Sequence, residues 1–203
     1  MAELLYEGKA KQVYKTEKED EYLIHYKDDA TAGNGVKHDK FEGKGVLNNT
    51  ISCIIFDMLE EAGIKTHMIK KLNERDILVK KVDIFPLEVI IRNITTGSFC
   101  KRLGAPEGVV LDEPIFEMSY KNDEYGDPLI NDDHDVALKL VDFKIEFGKT
   151  ADGTILLADE ISPDSCRLWD VDTNQKYDKD VFRQDIGDLI ETYKAVLARM
   201  QNK

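Results

Sequence analysis

The chain has 203 residues, 42% of them hydrophobic, which is enough for one buried core arranged as a single unit or as two small lobes. Its 40 acidic residues outnumber its 28 basic ones, and the net charge of −12 argues against a general nucleic-acid surface but not against a locally basic pocket for a small anion. No apolar run approaches the ~20 residues of a membrane span, so we expect no membrane partner. The three cysteines are scattered and form no CxxC pair, which fits a reducing compartment, so we expect a cytoplasmic protein.

The first half of the chain predicts strands around one helix. Residues 4–27 indicate two strands joined by a charged turn, with Gly8 in the middle of the first strand, where glycine often marks a bulge or a close approach to a ligand. Residues 46–62 carry a helical stripe of apolar side chains that Gly63 is expected to end. Two more strands are expected on either side of Phe85-Pro86, where the connection is a candidate lobe boundary.

The second half predicts a hairpin and a final helix. Residues 139–160 alternate apolar and charged side chains and contain an Asp152-Gly153 turn. Residues 185–200 form an amphipathic pattern, whose apolar face comprises Ile186, Leu189, Ile190, Tyr193, Val196, Leu197 and Met200. The element order favours an α+β fold with two lobes, a β-rich one over residues 1–80 and an α+β one over residues 81–203.

The 139–160 hairpin carries the strongest candidate site. Its alternation places Asp142, Lys144 and Glu146 on one face, and the returning strand brings Asp159 and Glu160 nearby. Mg²⁺ in nucleotide sites usually takes one or two carboxylates plus phosphate oxygens, so Glu146 and Asp159 are candidate ligands and Lys144 can neutralise a phosphate. The alternative is a solvated face with a cross-strand ion pair.

Three other segments offer groups for binding anions. Gly8, Lys9 and Lys11 can approach phosphates, although the segment matches neither a Walker A motif nor a GxGxxG loop, and a plain strand with two exposed lysines is an equal alternative. Residues 92–104 combine basic side chains, hydroxyls and a glycine, and residues 162–167 add an arginine suited to phosphate or carboxylate. A capped helix and a turn are the plainer interpretations of these two segments.

Taken together, these segments resemble the SAICAR synthetase family. The matching pieces run in order along nearly the whole chain and include YEGKAKQVY, KGVLNNTIS, VIIRNITTGSFCKRLG, LVDFKIEFG and DEISPDSCRLWD. The resemblance implies a two-lobed fold related to the ATP-grasp enzymes and to the N-terminal lobe of protein kinases. It implies an ATP-dependent ligase of purine biosynthesis that joins the carboxylate of the imidazole ribonucleotide CAIR to the amine of L-aspartate, giving SAICAR, ADP and phosphate.

The resemblance also assigns roles to residues. ATP would lie against Gly8, Lys9, Ala10, Lys11, Val13, Lys80, Lys81 and Val82, with Lys11 and Lys144 as catalytic groups beside its phosphates. Mg²⁺ would be held by Glu146 and Asp159. The substrates would contact Arg92, Ser98, Arg102, Asp127, Asp164 and Arg167. The resemblance also favours a homo-oligomer, although no residue pattern decides it.

Two other functions remain open from the sequence. A kinase-like phosphotransferase fits the shared lobe, but the chain has no HRD-like loop and no DFG segment. A non-catalytic nucleotide-binding protein would not need a second anion site beside candidate metal carboxylates.

One departure from the family pattern concerns length. The family has a helical segment of a few tens of residues between GDPLIND and LVDFK, which this sequence lacks. The pattern indicates either a deletion or a break between Leu138 and Lys139, and we favour a break, which would separate their Cα atoms by more than the ~3.8 Å of a trans peptide.

Overall fold

The computed structural model describes residues 3–32, 37–120, 129–131, 139–170 and 173–201. Its first sheet contains five strands: β1 (Leu4–Glu7), β2 (Lys11–Lys15), β3 (Glu21–Tyr26), β6 (Met68–Lys71) and β7 (Asp76–Lys80). They lie in the order β1-β2-β3-β7-β6 and all neighbours are antiparallel. A separate hairpin, β4 (Asp29–Ala32) and β5 (Lys37–Lys40), follows β3.

The continuous first strand predicted across Gly8 is wrong. Residues 4–15 fold back on themselves as the β1–β2 hairpin, and the Gly8 backbone N–H donates to the Lys11 carbonyl oxygen at 2.8 Å to close the turn. The chain reverses direction at the three residues Gly8 to Ala10, because a short segment that contains glycine can form a turn. This turn divides the strand that was predicted to be continuous. The predicted turn before β3 is confirmed.

Helix α1 (Lys44–Glu61) confirms the predicted helix, and Gly63 follows its end with φ +85°. Its buried face contacts three parts of the molecule. Leu47 packs in a cluster with residues of the last helix of the chain, Cys53 packs in the core of the first sheet, and Phe56 packs in a cluster with residues of the second sheet. The helix therefore connects the two sheets.

The second sheet has seven strands around a long central one. They are β8 (Asp83–Ile84), β9 (Leu87–Ile94), β10 (Val110–Tyr120), β11 (Leu129–Asn131), β12 (Lys139–Lys149), β13 (Ile155–Ala158) and β14 (Cys166–Trp169). The order is β11-β10-β9-β12-β13, and β8 and β14 also pair with β12. The strands on either side of Pro86 and the 139–160 hairpin are thus confirmed.

Three helices complete the fold: α2 (Gly97–Leu103), α3 (Asp180–Arg183) and α4 (Leu189–Gln201). The predicted final helix starts later than expected, because Asp185 adopts a left-handed backbone with φ +55°. Ile186 therefore lies outside α4 and is 57% exposed, so its predicted place on the buried face is wrong. Leu189 and Tyr193 are buried as predicted.

The chain passes from the first sheet to the second at residues 81–82, between β7 and β8. The division into lobes at residues 1–80 and 81–203 stays a prediction. In the part of the chain that the structure describes, no helix is both long and apolar enough to cross a membrane.

Candidate active site

A cleft of about 840 Å³ is lined by residues of both sheets. One part of the lining is apolar and comprises Val13, Tyr22, Ile24, Val79, Val82, Ile84 and Phe85. The other part is charged and comprises Lys9, Lys11, Lys80, Glu88, Lys144, Glu146, Asp159, Glu160, Asp164 and Lys179. Such a mixture suits a ligand with a flat apolar body and a charged tail.

The β1–β2 turn forms part of the charged lining. Gly8, Lys9, Ala10 and Lys11 all face the cleft. The Lys11 ammonium forms an ion pair with the Asp159 carboxylate. Burial alone would lower the pKa of Lys11, but the neighbouring carboxylates outweigh burial and raise its pKa well above the usual value. Lys11 is therefore a fixed cation in the cleft.

The two predicted metal ligands face the same cleft. Glu146 on β12 is 2% exposed and accepts a hydrogen bond from the Lys144 ammonium at 2.6 Å, and Lys144 also lies 3.3 Å from Glu88. Asp159 follows β13 with φ +64°, a conformation uncommon outside glycine that turns the chain at this point. Burial alone would lower the pKa of Lys144, but the carboxylates of Asp159, Glu146 and Glu88 together raise it.

Among the described residues, no cluster of three or more His, Cys, Asp or Glu side chains is placed to hold a metal ion. A pair of carboxylates beside a phosphate site still fits Mg²⁺, which commonly keeps one or two carboxylates and takes its other oxygens from phosphates and water. Glu146 and Asp159 meet that requirement because both line the cleft.

The residues predicted beside adenine are only partly brought together. Lys80 and Val82 line the cleft, whereas Lys81 does not. The Lys81 ammonium lies 5.6 Å from the centre of the Tyr22 ring, and its backbone N–H donates to the Asp20 carbonyl oxygen at 2.7 Å. Lys81 thus packs against the sheet.

A second, smaller cleft of about 170 Å³ adjoins the first. The two clefts share Lys144, Asp164 and Ser165. The shared residues are held together because the Lys144 backbone N–H donates to the Ser165 carbonyl oxygen at 2.8 Å. The second cleft is also lined by three arginines and a serine, namely Arg92, Arg167, Arg183 and Ser98.

The three arginines are linked by two carboxylates. Asp142 accepts hydrogen bonds from Arg92 at 2.8 Å and from Arg167 at 2.6 Å. Asp180 accepts hydrogen bonds from Arg167 at 3.0 Å and from Arg183 at 2.6 Å. Arginine is suited to planar recognition of phosphate and carboxylate, and this network fixes the direction of each guanidinium.

Gly97 makes room for one of these arginines. It begins α2 with φ +57°, and a Cβ atom there would lie 2.7 Å from a terminal nitrogen of Arg167. The next residue, Ser98, accepts a hydrogen bond from Arg92 at 3.4 Å. The glycine of this segment therefore serves both its backbone turn and the packing of the arginine.

Asp164 lies between the clefts and is tied to two helices. Its carboxylate accepts hydrogen bonds from the Lys44 ammonium at 2.5 Å, from the Asn48 amide at 3.0 Å and from the Tyr193 hydroxyl. Lys179 lies 3.7 Å away. Burial opposes the charge of Asp164, but the two lysines hold its pKa below the usual range.

One predicted substrate-binding residue lies away from both clefts, and two other predicted positions lie outside the described residues. Arg102, near the end of α2, is exposed and lines neither cleft, whereas Ser98 near the start of this helix lines the second cleft. Asp127 and Leu138 lie outside the described residues, so the substrate contact of Asp127 and the chain break after Leu138 stay predictions.

Sequence reasoning assigned no role at the site to four lining residues with ionisable side chains: His67, Glu88, Lys179 and Arg183. The alternation of β9 offered a signal for Glu88, which shares its strand with Arg92. The others had no local pattern, since they come from loops and a short helix.

The family model described as SAICAR synthetase matches residues 4–140 and 134–200 of the chain. A phosphoribosylaminoimidazole-succinocarboxamide synthase of Finegoldia magna is 59% identical over 230 residues, covering 98% of this chain and 99% of its own length. The chain belongs to the SAICAR synthetase family. The two matched segments meet near the Leu138–Lys139 junction, and the 230 aligned residues exceed the 203 of the chain, so the relative carries residues that this sequence lacks.

Solved structures of SAICAR synthetases have the same fold. The phosphoribosylaminoimidazole-succinocarboxamide synthase of Ehrlichia chaffeensis matches with a TM-score of 0.91 and 39% identity, over 98% of each chain. A SAICAR synthetase in complex with ADP matches with a TM-score of 0.89 and 43% identity, over 98% of this chain and 97% of its own. The mixed α and β architecture is therefore that of the family.

Proposed function

We propose that this SAICAR synthetase uses ATP to join the carboxylate of CAIR to the amine of L-aspartate, giving SAICAR, ADP and phosphate. The observation that carries the proposal is the pair of adjoining clefts that share Lys144, Asp164 and Ser165. One cleft has the lysines and carboxylates of a nucleotide site, and the other has three arginines aimed by carboxylates. ADP bound to a similar family member supports ATP as the nucleotide.

In the first cleft, the apolar part takes the base and the charged part takes the phosphates. Gly8 to Lys11 cover the phosphates, with Val13, Lys80 and Val82 beside the base. Glu146 and Asp159 would hold Mg²⁺, and the bound ion would supply positive charge to the transferring phosphoryl group. Lys11 and Lys144 hold the same carboxylates and stand beside the phosphates as fixed cations.

In the second cleft, the anionic ribonucleotide binds to the arginines. Arg92, Arg167 and Arg183, together with Ser98, receive its phosphate and carboxylate. Asp164 acts as a positioning residue, because its hydrogen bonds tie the loop between the clefts to α1 and α4. Lys144 lines both clefts and lies where the two substrates meet.

The chemistry follows from this meeting point. A carboxylate does not react with an amine at neutral pH, because its oxygen is a poor leaving group. A carboxylate oxygen of CAIR attacks the γ-phosphorus, and the bond to the β-phosphate oxygen breaks and releases ADP. The neutral aspartate amine then attacks the acyl carbon, phosphate leaves with the electrons of the C–O bond, and the amine loses a proton. The protein positions the anions and offsets their repulsion.

The kinship of this fold to the ATP-grasp enzymes and to the protein-kinase N-terminal lobe is part of the proposal. The β1–β2 hairpin above a nucleotide cleft supports it. Assembly as a homo-oligomer also stays a proposal.

ADP release by the purified protein with Mg²⁺-ATP tests the reaction. CAIR and L-aspartate are added separately and then together. The ligase requires both for sustained release of ADP. Sustained release with CAIR alone would instead identify a phosphotransferase, and no release in any mixture would overturn the proposed function.

A further inference from the structure

A buried histidine faces the nucleotide cleft with its ring nitrogens unused. His67 precedes β6 and is 2% exposed. Neither Nδ1 nor Nε2 has a hydrogen-bond partner among the residues that the structure describes. Its backbone is fixed, because its N–H donates to the Leu157 carbonyl oxygen at 2.9 Å and its own carbonyl accepts from Lys80 at 2.7 Å.

The imidazole ring is held in one orientation. It meets the Phe56 ring edge-on, with centres 5.4 Å apart and planes at 85°. It lines the same cleft as Val79, Lys80 and Lys11. The ring thus lies near the end of strand β7, just before the chain passes from the first sheet to the second. This part of the cleft wall would contact the proposed nucleotide.

Buried polar atoms without a partner are rare and unfavourable, since burial removes their hydrogen bonds to water. An unsatisfied ring in a ligand cleft therefore indicates a partner that binds there. Burial, the largest influence, lowers the pKa of His67 to about 4, so the ring is neutral at physiological pH. A neutral imidazole offers one donor and one acceptor.

We propose that His67 positions the nucleotide by a hydrogen bond between its imidazole and the purine edge that carries the 6-amino group and N7. This edge presents both a donor and an acceptor, so it can pair with whichever nitrogen of the neutral imidazole faces it, either the N–H donor or the acceptor nitrogen. The phosphates are the poorer match, because lysines already serve the charged part of the cleft and the ring packs edge-on against the Phe56 ring. The inference rests on the proposed nucleotide site and adds the residue that reads its base.

Calorimetric binding of Mg²⁺-ATP and two analogues tests this contact. One analogue lacks the 6-amino group and the other has carbon in place of N7. His67→Leu is expected to weaken ATP binding about tenfold, the effect of one lost hydrogen bond with a partner left unsatisfied. His67→Gln keeps a donor and an acceptor and is expected to retain most of the affinity. At least one analogue should bind to the wild type about tenfold more weakly than ATP does. The same analogue should bind to His67→Leu at least as tightly as ATP binds to that variant.

The thermal stability of the ligand-free protein gives a second readout. His67→Leu replaces an unsatisfied polar ring by an apolar side chain, so the free protein is expected to melt at the same or a higher temperature while binding ATP more weakly. His25→Leu is the matched control: this imidazole on β3 donates one hydrogen bond from Nδ1 to the Asp76 carboxylate at 2.6 Å and lies outside the cleft lining. It should lower the melting temperature and leave ATP affinity unchanged.

These measurements test the role of His67 separately from the proposed function. Equal ATP affinity of wild type and His67→Leu would overturn the role of His67 and leave the proposed function standing. A lower melting temperature of His67→Leu with unchanged affinity would assign the ring to packing or to a buried water. No ATP binding by the wild type would overturn both the nucleotide site and the inference built on it.

Discussion

At the scale of single residues, several of the cations that line the two clefts are paired with carboxylates. Lys11 pairs with Asp159, Lys144 pairs with Glu146, and Asp142 stands between two arginines. This explains how a protein of net charge −12 can bind two anionic substrates, because the acids orient the cations before the substrates arrive.

Removing either proposed metal ligand should abolish turnover. Glu146→Gln and Asp159→Asn keep the size of the side chain but remove its charge, and each is expected to lower ADP release in the complete reaction by about 100-fold or more. Glu191→Gln is the control, because this acid is exposed on α4 and pairs only at the surface with Lys194. Near-normal turnover in both cleft variants would exclude them as the Mg²⁺ ligands.

Arg183 should contribute to the ribonucleotide and not to ATP. Arg183→Gln removes one of three guanidinium groups of the second cleft, so the KM for CAIR is expected to rise about 10- to 100-fold, the worth of hydrogen bonds to a charged group. The KM for ATP should stay unchanged. The exposed Arg199, which pairs with Asp170, provides the matched Arg199→Gln control. An unchanged KM for CAIR would place the ribonucleotide elsewhere.

Sequence reasoning found those residues whose position follows from a local rule. The alternation along β12 placed Lys144 and Glu146 on one face, and both line the cleft. The family resemblance also assigned Lys81 and Arg102 to the site, but neither lines a cleft. Lys81 stands between the lining residues Lys80 and Val82, and consecutive residues of an extended segment face opposite sides.

At the scale of elements, helix α1 combines an apolar face with buried polar groups. Lys44, Asn48 and Ser52 are fully buried along it. Lys44 and Asn48 bind Asp164, and the Ser52 hydroxyl donates to the Ile161 carbonyl oxygen at 3.1 Å. The helix thus anchors the loop that separates the two clefts.

Breaking this anchor should destabilise the fold. Lys44→Met leaves the buried Asp164 carboxylate without its nearest cation and is expected to lower the free energy of unfolding by about 3–5 kcal/mol. Urea unfolding at neutral pH measures this. Lys71→Met at an exposed position of β6 is the control and should change stability by less than about 0.5 kcal/mol. A loss in Lys44→Met no larger than in the control would show that the ion pair does not hold the loop.

The same anchor predicts a pH dependence. The pKa of Asp164 is lowered in the fold, so its stabilising contribution is fully present above the unfolded value of ~3.9 and is lost as pH falls below that value toward the folded pKa. Urea midpoints of the wild type should therefore fall between about pH 5 and pH 3 more steeply than those of Asp164→Asn. Parallel midpoints in the two proteins would contradict the lowered pKa.

The helices and strands were largely predictable because their periodicity is local. Helix α1 and the β12–β13 hairpin confirm patterns of that kind. The failures at Gly8 and Ile186 share one cause: a single turn, at residues 8–10 or at Asp185, interrupts a pattern that apolar spacing alone would continue. Backbone reversals of this size depend on a few dihedral angles that hydrophobic periodicity does not encode.

At the scale of the whole molecule, the site is assembled from distant parts of the chain. Lys11 meets Asp159, and Lys44 meets Asp164, across more than a hundred residues in each case. Pairings this remote are not encoded in any local pattern. The family resemblance assigned Lys11 and Asp159 to one nucleotide site, but nothing in the sequence indicated the role of Lys44. The resulting arrangement places a nucleotide cleft and an arginine-lined cleft side by side, with Lys144 on their common border.

The central claim is that the CAIR carboxylate is activated by phosphorylation where the two clefts meet. The most direct measurement is the fate of ¹⁸O placed in that carboxylate, followed in the released phosphate during turnover with ATP and L-aspartate. If the carboxylate is phosphorylated, one carboxylate oxygen is transferred to each phosphate formed, so the released phosphate should carry the label. Phosphate released without the label, at normal SAICAR yield, would contradict the claim.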